Sequence, residues 1–168
     1  MVEMMGFEKD RRIIRQFNNT RVNTTVGVRT CHFRSILEYQ WAKYLQFLLH
    51  NGQIKDWFYE ETTFDFTLVG YSRGPFIYLV DFDVIENDGE TIYQECKGHH
   101  DSKTNSKLQR VAACFPEVKI DLVLQRIPKS GSKGASRRAA AAKYTRRIID
   151  ASEIFKQTRG LVDYTPPI

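Results

Sequence analysis

Phe76-Ile-Tyr-Leu-Val-Asp81-Phe-Asp-Val-Ile-Glu86-Asn-Asp-Gly-Glu90-Thr-Ile-Tyr-Gln-Glu95-Cys-Lys97 reads as two strands around a tight turn. Asp88-Gly89 supplies the turn chemistry of a β-hairpin, and the flanking residues are rich in branched and aromatic types. Symmetric pairing about Asp88 sets Asp81 opposite Glu95. Side chains opposed in this way share a face, with Cβ atoms about 4.5–5.5 Å apart. Lys97, two residues beyond Glu95, points the same way. Opposed carboxylates repel, by about 1 kcal/mol when exposed and more when buried, unless a cation sits between them. A hard divalent ion such as magnesium, or manganese in its place, meets that need and also binds phosphates. Lys97 can then stabilise phosphate charge or orient an attacking water, and the implied chemistry is phosphodiester hydrolysis. An E-x-K tripeptide alone is common on solvated hairpins. The opposed Asp81, the apolar run before it and the upstream helix make this one specific.

Outward from the hairpin, Phe33, Ile36, Leu37, Trp41, Tyr44, Leu45, Leu48 and Leu49 recur at helical spacing, and Asn51-Gly52 is a stop signal. Residues 54–69 suggest one or two strands. One face of a further helix is marked by Leu108, Val111, Ala112 and Phe115 before Pro116, and Val118–Leu124 suggests a buried strand. The expected fold is therefore α/β in the order αβββαβ, with a mixed central sheet flanked by helices. Residues 129–136 have linker composition. Alanines 139–142 and the series Tyr144, Ile148, Ala151, Phe155 predict one last helix ending near Gly160. The expected organisation is a basic N-terminal arm (1–29), a core (30–128) and a basic linker with a C-terminal helix (129–168).

Asp81 followed by Glu95-Cys96-Lys97 resembles the signature of the PD-(D/E)XK nuclease superfamily, whose core has the order αβββαβ. Phe33-Arg-Ser-Ile-Leu-Glu38 is similar to the F-R-S-x-x-E stretch of phage endonuclease I Holliday-junction resolvases and related small phage nucleases. The likeness covers about residues 30–125 and implies a restriction-endonuclease-like core. It implies that Glu38, Asp81 and Glu95 are acidic active-site residues and Lys97 the catalytic lysine. Asp81, Glu95 and the Cys96 backbone carbonyl would be metal ligands, with Glu38 reaching the ion through water. The family's usual proline before Asp81 is Val80 here, a position that supplies no reacting group. Asp83 shares the strand face of Asp81 and is the reserve ligand if the register slips. Ser35 to Glu38 also fits a capping box. Inclusion of Phe33 in the helical pattern argues for an earlier start and for a catalytic Glu38.

The 168 residues exclude two full enzyme domains, and 42% hydrophobic with 27% charged residues excludes disordered and fibrous classes. Cys31, Cys96 and Cys114 form no C-x-x-C, which argues against a disulfide framework or a zinc cluster. Neither a secretory apolar segment nor a membrane span is evident, and no glycine-rich phosphate loop suggests a nucleotide cofactor. A cytoplasmic protein is expected, in an infected bacterial host if the phage likeness holds. Charge is unevenly placed: residues 1–30 carry six basic against three acidic groups, 31–128 ten against 14, and 129–160 nine against two. An acidic centre between basic ends suits a polyanion. Lys103, Lys107, Arg137, Arg138, Lys143, Arg146 and Arg147 are the expected DNA contacts. His99 and His100, following the lysine, are weaker candidates. The functional expectation is a magnesium-dependent endonuclease selective for branched DNA and acting as a homodimer, since paired nicks need two sites. The alternatives are a restriction-like, transposon-end or flap nuclease, or a non-catalytic DNA-binding accessory.

Overall fold

The turn after Ile85 closes as its residues require. Gly89 takes φ 91°, the Glu86 amide donates to the Glu90 carbonyl (2.8 Å), and the Asp88 carboxylate accepts from the Glu90 amide. In the computed structural model, which describes residues 20–99 and 101–167, this turn joins β6 (Phe82–Ile85) to β7 (Thr91–Lys97). The strands pair antiparallel with Phe82 opposite Gln94 and Ile85 opposite Thr91, the register symmetric about Asp88.

The single strand expected over 76–85 is broken. β4 (Thr63–Asp65) and β5 (Ile77–Leu79) form their own two-stranded sheet, and the chain crosses to β6 at Val80–Asp81. The cause lies in where the crossing residues send their backbone bonds. The Val80 amide donates to Thr62 O (3.2 Å), and Asp81 O accepts from the Glu60 amide (2.9 Å).

The main sheet has five strands in the order β3 (Asp56–Tyr59), β6, β7, β8 (Lys119–Leu124), β9 (Arg147–Asp150). The first two pairings are antiparallel. β8 then lies parallel to β7, and β9 parallel to β8. Parallel neighbours need crossover connections, supplied here by α2 (Ser102–Cys114) and α3 (Lys133–Ala141). Five successive buried residues in β8 mark a strand covered on both faces.

α1 (Ile36–His50) starts later than the apolar spacing predicts. Phe33 ends β2 (Arg29–Phe33), which forms a hairpin with β1 (Val22–Val26), so residues 20–29 are not an arm. Residues 1–19 lie outside the described residues. At the hairpin turn Gly27 has φ 62°, and a Cβ there would press on the Gln46 side chain. The single C-terminal helix is also corrected: α3, the sheet strand β9 and α4 (Ala151–Gln157) replace it. The segment read as linker carries Ser132, the N-cap of α3, and β9 makes the C-terminal region part of the main sheet.

Two apolar layers cover the sheet. Phe33, Trp41, Leu45, Trp57, Phe82 and Val123 belong to one, beneath α1 and Ala151 of α4. Phe64, Tyr78, Leu108, Ile120, Leu122 and Ala141 belong to the other, beneath α2 and α3. The result is a mixed α/β fold with four helices among the described residues. None is long and apolar enough to cross a membrane.

Candidate active site

Asp81 stands one residue before the first paired position of β6, where the backbone leaves the smaller sheet. Its Oδ2 accepts from the Cys96 amide at 2.8 Å, so the side chain continues the contact to β7 that the diverging backbone gives up. Its Oδ1 faces Arg34 Nη2 at 2.9 Å. Glu95 points from β7 to the same place. Lys97 Nζ lies 2.5 Å from Glu95 Oε1, and the buried Tyr78 hydroxyl donates to Oε2 at 2.7 Å. Asp81 and Glu95 are each only 2% exposed, whereas the Lys97 side chain reaches solvent. The hairpin thus brings together the three residues that its register predicts.

Glu38 enters from the first turn of α1, where it completes a cap. Ser35 Oγ accepts from the Glu38 amide (3.2 Å) and donates to its Oε1 (2.8 Å). Oε2 accepts from the Arg34 amide (2.9 Å) and the Tyr59 hydroxyl (2.6 Å). The reading against a capping role is therefore corrected: with Phe33 in a strand, Ser35 is free to be the N-cap. Glu38 still acts on the site through space, since its charge adds to the repulsion felt by Asp81 and Cys96.

Burial, followed by the charge of Glu95, holds the Asp81 carboxyl well above the usual carboxylate range despite Lys97 nearby. Burial opposes charge on Lys97 as well, but Glu95 and Asp81 outweigh it and raise the ammonium above its ordinary value. Burial and Glu95 likewise push the Tyr78 phenol up. Four carboxyl groups (Glu38, Glu60, Asp81, Glu95) share the site with two cations (Arg34, Lys97), so full ionisation would leave two negative charges unmatched, which is what burdens Asp81. A buried excess of that sign favours a divalent cation.

Among the described residues, no three His, Cys, Asp or Glu side chains already surround a common ion position. The carboxylates are turned to internal partners instead. The donor chemistry nonetheless fits magnesium: Asp81 and Glu95 are hard oxygen donors, and the partners they would exchange include half-exposed Arg34 and the solvent-reaching Lys97. Cys96 contributes its amide to Asp81, while its side chain is buried in the α1 layer.

Sequence reasoning missed Arg34, Tyr59, Glu60 and Tyr78. Arg34 lies inside the quoted Phe33–Glu38 stretch and could have been found there. Tyr59, Glu60 and Tyr78 carry no local signal, because strand pairing alone brings them in. Glu60 holds φ 52°, an unusual value for a non-glycine residue, while its amide caps Asp81 O and its carboxylate meets Arg34.

Asp83 stays outside this group. Its register partner is Tyr93, the Thr62 hydroxyl donates to its Oδ2, and no slip or bulge redirects it. Lys107 on α2 lies over the Tyr78 ring, 5.4 Å from its centroid, and so borders the site. Lys103 and His99 are exposed, and His100 lies outside the described residues. Arg137 and Arg138 sit on α3, tied to α2 by a hydrogen bond from Asn105 Nδ2 to Arg137 O, and Lys143 follows on an exposed turn. Arg146 and Arg147 are engaged elsewhere. Arg146 grips the fully buried Asp121 with two bonds of 2.8 and 2.7 Å, and Arg147 Nε adds a third at 2.9 Å. These two arginines neutralise a core carboxylate while both remain exposed at the surface.

No family model matches the chain, and no curated protein matches its sequence.

Proposed function

We propose that this chain is a magnesium-dependent endonuclease that hydrolyses DNA phosphodiester bonds, selective for branched DNA such as a Holliday junction. The observation that carries the reading is the convergence of Asp81, Glu95 and Lys97 across β6 and β7, with Glu38 beside them. The succession α1, β3, β6, β7, α2, β8 supports it, since it has the element order of a restriction-endonuclease-like core. Val80 departs from the family's proline at a point where its N–H is used by Thr62 O, a bond proline could not make.

Asp81 and Glu95 would hold the ion, joined by the Cys96 carbonyl and by Glu38 through water. A bound divalent ion supplies charge stabilisation at phosphorus and a more acidic water. Lys97 faces the scissile phosphate and offsets charge on its oxygens. In the reaction water adds to phosphorus, the bond from phosphorus to one sugar oxygen breaks, and that oxygen takes up a proton. Arg34 serves as the counter-ion of Asp81, a contact it would give up if a metal ion were bound there. Selectivity for shape rather than sequence would rest on cations such as Lys107 meeting the backbone, because phosphates position DNA without identifying bases. Cutting both strands of a junction calls for two copies of the site, hence a two-fold homodimer.

A second reading has its own observation. Both carboxylates are fully engaged with internal partners, as in a closed ion-pair network, which suits a non-catalytic DNA-binding accessory. Plasmid nicking separates the two. The nuclease nicks in magnesium and stops in EDTA, whereas the accessory binds the plasmid and leaves it intact in both.

A further inference from the structure

Five of the seven large apolar side chains left exposed among the described residues fall within ten positions: Leu68, Val69, Tyr71, Phe76 and Ile77. They lie on the 3-10 turn Phe66–Val69, the loop after it and the start of β5. Leu68 is 83% exposed, so the fold gains nothing from its apolar character. The loop is held in place nonetheless. Arg110 of α2 donates to the carbonyls of Arg73 and Pro75, and its guanidinium lies 4.2 Å from the Tyr71 ring centroid.

Charge identifies what such a surface can meet. Residues 66–80 and α2 together carry Arg73, Lys103, Lys107 and Arg110 and no acidic residue. Asp65, just before the 3-10 turn, is engaged in capping it. The patch also leads to the candidate site, since Lys107 covers Tyr78 and the Tyr78 hydroxyl bonds Glu95. Cations beside exposed apolar side chains fit a nucleic acid whose bases are open to contact. Apolar wedges enter base steps, and bases stack on such surfaces, while the cations take the phosphates.

Building on the nuclease reading, we infer that the 66–77 loop is a wedge that contacts unstacked bases at a branch point, beside the phosphate to be cut. A continuous duplex hides its bases and resists entry. A branch or flap has already lost part of that stacking, so the wedge favours it.

The test uses flap and four-way DNA carrying 2-aminopurine at the branch, with full-length protein in EDTA so that no cutting occurs. Wild type should raise the 2-aminopurine fluorescence. Leu68→Ser/Ile77→Ser, with an unchanged melting temperature, should lose most of that rise and about tenfold of the preference for branched over uniform duplex. An equal rise and preference in the variant overturns the wedge. So does Leu68-dependent binding to anionic vesicles, or conversion of a dimer to a monomer by the substitutions, since either gives the loop a different occupant. Wild type that cuts DNA with no fluorescence rise overturns the wedge alone. Wild type that binds no DNA overturns the nuclease reading with it.

Discussion

Lys97 Nζ lies 2.5 Å from Glu95 Oε1, on the face of β7 that also meets Asp81. The lysine is therefore placed by a residue two positions away on its own strand, and the aspartate by a strand that leaves another sheet to reach it. This mixture of local and distant placement makes the group sensitive to single substitutions.

Removing one charge from the pair should abolish response to metal. Thermal unfolding of wild type should shift upward with magnesium, because a ligand of the folded state stabilises it by mass action. Asp81→Asn and Glu95→Gln should lose the shift and the cleavage while keeping or strengthening DNA binding. A magnesium shift equal to that of wild type in both variants would remove these residues from the metal site.

Substitution can separate the cap that Glu38 completes from its proposed part in cleavage. Ser35→Ala should cost about 1 kcal/mol of stability through the cap while cleavage persists. Glu38→Gln keeps side-chain length and should reduce cleavage far more than Ser35→Ala does. Equal effects of the two on turnover, measured on protein shown to be folded, would reduce Glu38 to a cap.

Arg146 and Lys107 should part company. Arg146→Ala strips Asp121 of its two-bond partner and should destabilise by about 3 kcal/mol, leaving the salt dependence of DNA binding unchanged. Lys107→Ala should leave stability intact and lower the salt slope by about one. Urea unfolding and DNA titrations at several salt concentrations read both.

Asp150 gives a pH dependence. It caps α4 and accepts from the Ile127 and Glu153 amides and the Ser152 hydroxyl. Burial works against its charge, but these donors win and lower its pKa below the ordinary 3.8. A carboxylate lowered on folding contributes stability above its unfolded value and loses it as pH falls through the folded one. Asp150→Ala should thus cost about 1 kcal/mol at neutral pH, and the gap to wild type should shrink below pH 3.8. A gap that stays constant through that range would contradict the assignment.

The parts of the fold legible in sequence are those set by nearby residues. Asp88-Gly89 set the register that pairs Phe82 with Gln94 and so brings Asp81, one residue before the ladder, to the Glu95 side of β7, and the spacing of Leu108 and Val111 marked α2. Tertiary pairing governs the rest. Val80–Asp81 leaves one sheet for another because Glu60 and Thr62 take its backbone bonds, and Arg147–Asp150 becomes β9 because it lies parallel to β8. Four residues are too few for a strand period to show, and the alanines before them suggested a longer helix than forms. Phe33 fits the helical spacing by coincidence; its ring packs on Tyr39 and Tyr59 from the end of β2. In the site, the hairpin residues could be read, whereas Tyr59 and Tyr78 could not.

The most direct measurement compares cleavage of a four-way junction and a linear duplex of matched sequence, in magnesium and in EDTA, by wild type and Lys97→Ala. Wild type should cut near the branch in magnesium alone and cut the duplex much more weakly, and Lys97→Ala should cut neither while still binding the junction. No cutting by folded wild type in magnesium or manganese, or cutting by Lys97→Ala at the wild-type rate, would contradict the nuclease reading.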